Sequence, residues 1–392
     1  MYTADRSKNP TRLAELADRL RPVADDLVLH DEGGPGECLV RAGELLAHPA
    51  VADSVMDKLG SRADSAELAL PGEAVRIRLR PQARDHSVEL AAELTRPGDT
   101  VFVQPNHLHV GCPVMSGTPI EFGTGTVPTP AELPPAPPTE LWEPPVTVAL
   151  LDTGLDPHPW FADRPWLSEW GLSAETLHPD QPAARDRQAG HGTFVAGVLL
   201  QHAPGVTIRH HRTLASTGLT DDVVVAAGLD QVRRIARARN EKLDIVVITA
   251  GCHTADDTCP PLLRRALERT VDPIVVASAG NNASARPFWP AASPQVIAVA
   301  ATGHRDQLAP FSNRGDWVNV AAPGVDIVSS FVRAVQHEHG IAPETVTREY
   351  GAAKWSGTSF AAPRVAASLA RLLHAGIPPK AAREHVSNSF GG

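Results

Sequence analysis

Lysine is scarce in this 392-residue chain: it stands at five positions, and the remaining positive charge rests on scattered arginines. Lys and Arg together number 36 against 45 Asp and Glu, a formal net charge of -9. With neither a basic surplus nor a basic stripe, no nucleic-acid partner is expected. Long apolar runs are missing too. Stretches such as Val223 to Leu229 fall far short of the ~18 residues that cross a bilayer, so no membrane partner is expected either. The opening MYTADRSKNPTRLAELADRL has no apolar core behind its basic residues and does not read as a secretory leader, which makes a cytoplasmic protein the expectation. Four cysteines are too few for a disulfide scaffold. Cys38 and Cys112 read as free thiols, while Cys252 and Cys259 bracket the loop CHTADDTC and either bond or face each other as thiols.

Signals for bound groups are also absent. No GxGxxG follows a strand. His210 with His211, and the pair His337 and His339, lack Cys or carboxylate partners at ligand spacing and read as surface residues. No cofactor and no metal are expected.

What the chain does contain divides it. Between Pro128 and Pro145 proline holds eight of eighteen positions, a composition that favours an extended, semi-rigid segment over helix or strand. Residues 113–145 read as a linker. Before it, DLVLH and ECLVRAG flank EGGPG as a hairpin. A helix over Pro49 to Leu59, the strand AVRIRLR, a helix over Ser87 to Leu94 and the strand VFVQPNHLHV follow, giving a small α+β domain over residues 1–112. From 146 to 392 the apolar strands TVALLD, VTIRHH, LDIVVIT, PIVVASAG, VIAVAAT and VNVAAPG alternate with helical stretches. Near-continuous Val, Ile and Ala strands separated by helices imply a parallel sheet buried on both faces, hence a doubly wound α/β domain. Sites in such sheets gather beyond the carboxyl ends of the strands.

Chemistry-bearing residues stand at those ends. TVALLDTG closes a strand on Asp152, which alone reads as a turn or cap residue. HGTFVAG opens a helix on His191. SGTSFAAP places Ser359 at another helix start, where serine is a good cap but also where N–H groups and the dipole favour an oxyanion. A hydroxyl becomes a nucleophile only with a base, and the base needs an acceptor that fixes its tautomer. VVASAGNN adds the neutral amide donor Asn281 after another strand.

Together DTG, HGT, AGNN and GTSFAAP, in the order Asp, His, Ser, resemble the subtilisin-like serine proteases from about Val146 to the end. The resemblance implies an endopeptidase acting through an acyl-enzyme on Ser359, with His191 as base and then acid, Asp152 as the orienting carboxylate, and Asn281 with the Ser359 N–H as oxyanion donors. It implies a polypeptide substrate that adds as a strand along Thr249, Ala250 and Gly251, with Gly218 to Thr220 opposite. The pocket for the residue before the cut would lie between Ala250 and the Asn281 to Pro290 loop, near Gly280, and Phe288 would make it shallow. The helix after His191 lacks the Asn-rich insertion that carries calcium in many relatives, so that site is not expected. VFVQPNHLHV resembles the family's inhibitory propeptide, which implies that the N-terminal domain is the chain's own intramolecular inhibitor. The competing reading is a catalytically silent peptide-binding protein on the same fold.

Overall fold

The computed structural model describes residues 11–95, 101–112, 128–169, 173–178, 185–335 and 347–390. The N-terminal part runs α1 (Arg12–Leu20), β1 (Leu27–His30), β2 (Cys38–Ala47), α2 (Ala52–Leu59), β3 (Ala63–Leu70), β4 (Ala74–Leu79), α3 (Ser87–Leu94) and β5 (Val103–Gly111). Helix α1 starts where the Thr11 hydroxyl accepts the Ala14 N–H, and it buries Leu13, Ala17 and Leu20 on one stripe. Strands β1 and β2 pair antiparallel with Leu27 opposite Arg41, as the hairpin reading expects. The core beneath the sheet joins Leu45, Ile77 and Val103 to Val55, Leu59 and Leu90 from the helices. Each such side chain contributes about 1.5–3 kcal/mol by leaving water.

The larger unit contains β6 (Thr129–Ala131), β7 (Thr147–Asp152), α4 (Trp166–Glu169), α5 (His191–His202), β8 (Thr207–Arg212), β9 (Leu219–Asp221) and α6 (Asp222–Ala238). Next come β10 (Ile245–Ile248), β11 (Ala250–Gly251), α7 (Pro261–Glu268), β12 (Ile274–Ser278), β13 (Val296–Thr302) and β14 (Val320–Pro323). β15 (Ile327–Val335), β16 (Thr347–Trp355), α8 (Thr358–His374) and α9 (Pro379–Phe390) complete it. Six parallel strands stack in the order β14-β13-β12-β10-β7-β8. Alternate residues face opposite layers: Val148 and Leu150 pack with Val195 and Phe360 on the α5 and α8 side, while Ala149 and Leu151 pack with Leu229 and Leu262 on the α6 and α7 side. The fold is doubly wound α/β preceded by an antiparallel α+β region. No helix among the described residues is long and apolar enough to cross a membrane.

The two units share one sheet. Strand β5 is flanked by β2 on one side and by β9 and β11 of the larger unit beyond it, antiparallel throughout. A joint apolar cluster ties α1 (Leu13, Leu20) and β5 (Leu108, Val110) to Leu219 and Phe288.

Within the proline-rich segment, three residues form strand β6 and pair with β16, a difference from the extended reading. At Pro138 the segment is held by Arg164, which is 2% exposed. Its guanidinium donates to the carbonyls of Pro204 (2.6 Å), Pro138 (2.7 Å) and Trp160 (3.2 Å), and burial pushes it down to about 10. Trp142 stacks on His374 at 4.6 Å between ring centroids and lies over Gly205, where a Cβ would stand 2.1 Å from its ring. Arg164→Leu leaves those carbonyls unpaired, and is expected to cost about 1–3 kcal/mol of stability by chemical denaturation and to open Pro128–Pro145 to limited proteolysis. An unchanged midpoint and digestion pattern would show that the clamp does not seat the segment.

Candidate active site

Asp152 ends β7, the strand between β10 and β8, and is completely buried. A buried carboxylate must be fully hydrogen-bonded to remain charged. Its Oδ1 accepts the Thr153 N–H (2.7 Å) and lies 2.7 Å from His191 Nδ1, and its Oδ2 accepts the Thr249 hydroxyl (2.5 Å). Burial alone would raise this acid. The His191 charge and these hydrogen bonds outweigh burial and hold it below the usual carboxylate range. An ionised Asp152 only accepts, so His191 Nδ1 carries the proton and Nε2 is left as the basic nitrogen. Nε2 makes no hydrogen bond, and the ring is wedged against Trp355 and Phe360 at 5.6 and 5.4 Å. Gly190, at φ 83°, lets α5 begin here: a Cβ would stand 2.6 Å from the Phe331 ring.

Ser359 is the second residue of α8 and fully buried. Its hydroxyl donates to the Thr249 carbonyl at 3.3 Å. Asn281 follows β12 and is oriented by Thr358, whose N–H and hydroxyl both donate to Asn281 Oδ1 (3.1 and 2.9 Å). The amide nitrogen is thereby turned into the cleft.

Both donors meet one oxygen, the carbonyl of Cys112. Asn281 Nδ2 approaches it to 2.5 Å and the Ser359 N–H to 3.2 Å. Upstream of Cys112 the chain fills the groove as a strand: Gly111 opposes Ala250 and Val110 opposes Gly251, while Leu108, His109 and Val110 oppose Asp221, Thr220 and Leu219. The Cys112 N–H donates to the Thr249 carbonyl, and the Gly111 N–H to that of Gly218, both at 2.9 Å. Phe288, 1% exposed, fills the space beside Gly251 and Gly280, where a Cβ would lie 2.4 and 3.0 Å from its ring.

Asp152, His191, Ser359, Asn281 and the Thr249 to Gly251 edge therefore converge on one place. Sequence reasoning missed the orienting role of Thr358, the hydroxyl of Thr249, and the acids Glu175 and Asp222. All four cysteines are free thiols, Cys252 and Cys259 included, and burial pushes the Cys112 thiol up to about 12. The surface reading of His210 is corrected. It is buried in β8, pushed down to about 3 by burial, because Thr207 to His210 are enclosed on both faces of the strand. His337 and His339 lie outside the described residues.

Glu175 stands directly behind the triad. Its Oε1 accepts the Thr193 N–H (3.1 Å) and hydroxyl (3.3 Å), the Thr153 hydroxyl is close enough to favour the ionised form, and Oε2 has no hydrogen bond among the described residues. Burial, with Asp152 and Asp156 nearby, raises it from 4.5 to about 7. Between pH 4.5 and about 7 the folded chain keeps a proton that the unfolded chain has released. This contribution to stability is full below that window and is lost as pH rises through it. Glu175→Gln stays neutral throughout, so its melting temperature is expected to fall less than the wild type's between pH 5 and 7.5. Parallel curves would show that Glu175 is ionised in the fold.

The subtilase family model matches residues 144–389. The chain is 34% identical over 218 residues to a thermophilic serine proteinase of Bacillus sp. (strain AK1), covering 52% of this chain and 48% of the relative. It is 30% identical over 237 residues to the minor extracellular protease Epr of Bacillus subtilis (strain 168), covering 58% and 32%. The chain thus spans about half or less of the length of these two relatives. Among solved structures, fervidolysin from Fervidobacterium pennivorans shares the fold, with a TM-score of 0.54 at 22% identity over 86% of this chain and 55% of that one. A match over more than half of the sequence, on the segment that builds the parallel sheet and the buried Asp152, His191 and Ser359 cluster, shows that this chain belongs to the subtilase family.

Proposed function

We propose that the protein is a serine endopeptidase whose N-terminal domain is its own inhibitor. The observation that carries this reading is the Cys112 carbonyl, held by Asn281 Nδ2 and the Ser359 N–H, the arrangement a substrate carbonyl needs before attack. The hydroxyl of Ser359 turns from the Thr249 carbonyl to His191 Nε2, which takes its proton as oxygen adds to the substrate carbonyl. Asp152 keeps the imidazole oriented and balances the imidazolium. The oxyanion gains from both donors, His191 then protonates the leaving amine, and water releases the acyl group by the reverse order of proton transfers. Because Phe288 fills the pocket beside Gly251 and Gly280, a small residue is preferred before the cut. The four free thiols support a reducing compartment.

Ser359→Ala is expected to abolish both peptide hydrolysis and labelling by a fluorophosphonate. Wild-type turnover in this variant would remove Ser359 as nucleophile, and a chain that neither labels nor cleaves even when β5 is loosened by Gly111→Val would be the silent peptide binder. Asn281→Ala is expected to lower turnover about 100–1000-fold, the usual effect of removing one oxyanion donor.

The inhibitory reading has its own test. Gly111 lies tight against the groove wall: a Cβ would stand 1.9 Å from Gln188 Oε1 and 2.8 Å from Leu214, so a side chain there must push both side-chain ends aside. Gly111→Val in the full chain is therefore expected to loosen β5 and raise hydrolysis of a small peptide ester about tenfold or more. No gain in a folded variant would leave β5 without an inhibitory role.

A further inference from the structure

Every hydrogen bond to the Asp222 carboxylate, among the described residues, comes from β5. Oδ1 lies 2.7 Å from His109 Nε2. Oδ2 accepts from Gln104 Nε2 (2.8 Å) and the His107 N–H (2.9 Å), and lies 2.8 Å from His107 Nδ1. Asp222 and His109 are both fully buried. Asp222 opens α6, with Asp221 as its cap, so the helix dipole favours the ionised form, and the histidines hold it far below the usual range although burial opposes them. The larger unit thus supplies the acid and none of its hydrogen bonds.

His109 also has a defined place. Cys112 presents its carbonyl to Asn281 and Ser359, and His109 is the third residue before it, opposite Thr220 in the groove. Any polypeptide that replaces β5 must put a side chain where His109 now sits. A leucine there would strand the buried Oδ1 without a donor, whereas an imidazole N–H satisfies it.

We propose that Asp222 is a specificity-determining residue that selects polypeptides carrying histidine as the fourth residue before the bond that is cut. This rests on the endopeptidase reading. The recognised group is the imidazole N–H, donated to the carboxylate. Cys252 Sγ lies within 4.8 Å of the His109 and Asp222 ligating atoms, so the test must also remove metal bridging.

The test uses the full chain in EDTA and follows the rate at which a fluorophosphonate labels Ser359. The competitors are three nonapeptide amides: the sequence of residues 104–112, and the same peptide with leucine or lysine in place of histidine at position 109. The histidine peptide is expected to slow labelling at about tenfold lower concentration than the leucine peptide. In Asp222→Asn and Asp222→Leu the difference is expected to shrink to about twofold or less. Equal slowing by all three peptides, or by none, overturns the selectivity and leaves the peptidase reading standing. A lysine peptide that competes as well as histidine overturns the imidazole assignment, and a preference seen only without EDTA assigns the site to a metal instead. Absence of labelling both in the wild type and in Gly111→Val, which loosens β5, removes the peptidase reading and this inference with it. Should the Asp222 variants fail to fold, His109→Leu in the full chain provides the same test: labelling about tenfold faster than wild type is expected, and an unchanged rate overturns the proposal.

Discussion

One buried negative charge organises this molecule. Asp152 sits fully buried at the end of a central strand, and a carboxylate there survives only if the surrounding chain supplies donors. The Thr153 N–H, the Thr249 hydroxyl and His191 do so. Each of those contacts fixes something else: the turn after β7, the position of the β10 to β11 edge, and the tautomer and tilt of the imidazole. Trp355 and Phe360 then press on the imidazole ring from β16 and α8, so the hairpin and the serine-bearing helix are set relative to the same charge.

The second constraint is the need of sheet edges for partners. Strands β9 and β11 expose unpaired backbone groups on either side of a groove, and such edges accept any extended chain of suitable register. Strand β5 satisfies both, and β2 continues the sheet outward into the N-terminal part of the chain. The apolar cluster of Leu13, Leu20, Leu108, Val110, Leu219 and Phe288 adds non-directional affinity to that pairing, while Gly111 and the small Cys112 permit close approach.

How much of this was legible depended on range. The six parallel strands announce themselves as Val and Ile runs because both faces are buried, and the four family motifs place Asp152, His191, Asn281 and Ser359. Strand β3 was missed because Ala63–Leu70 is mostly exposed and rich in Ala, Asp, Ser and Glu, which carry little strand preference; its pairing with β4 makes it a strand. Helix α1 was missed within a segment read only for leader character. Asp222 looked like an ordinary helix start, and its partner His109 lies 113 residues away. No local pattern encodes such a pair, nor the enclosure of Glu175 behind the triad.

The anchoring of β6 on β16 has a consequence for kinetics. Only residues 113–128 separate Cys112 from that anchor, a tether that at full stretch reaches about 55 Å. While the chain is whole, a β5 strand that leaves the groove remains inside a volume where one copy amounts to a local concentration near the millimolar range, roughly. Reoccupation of the groove is then a first-order event, independent of how dilute the protein is, and an outside polypeptide must compete against that fixed local supply.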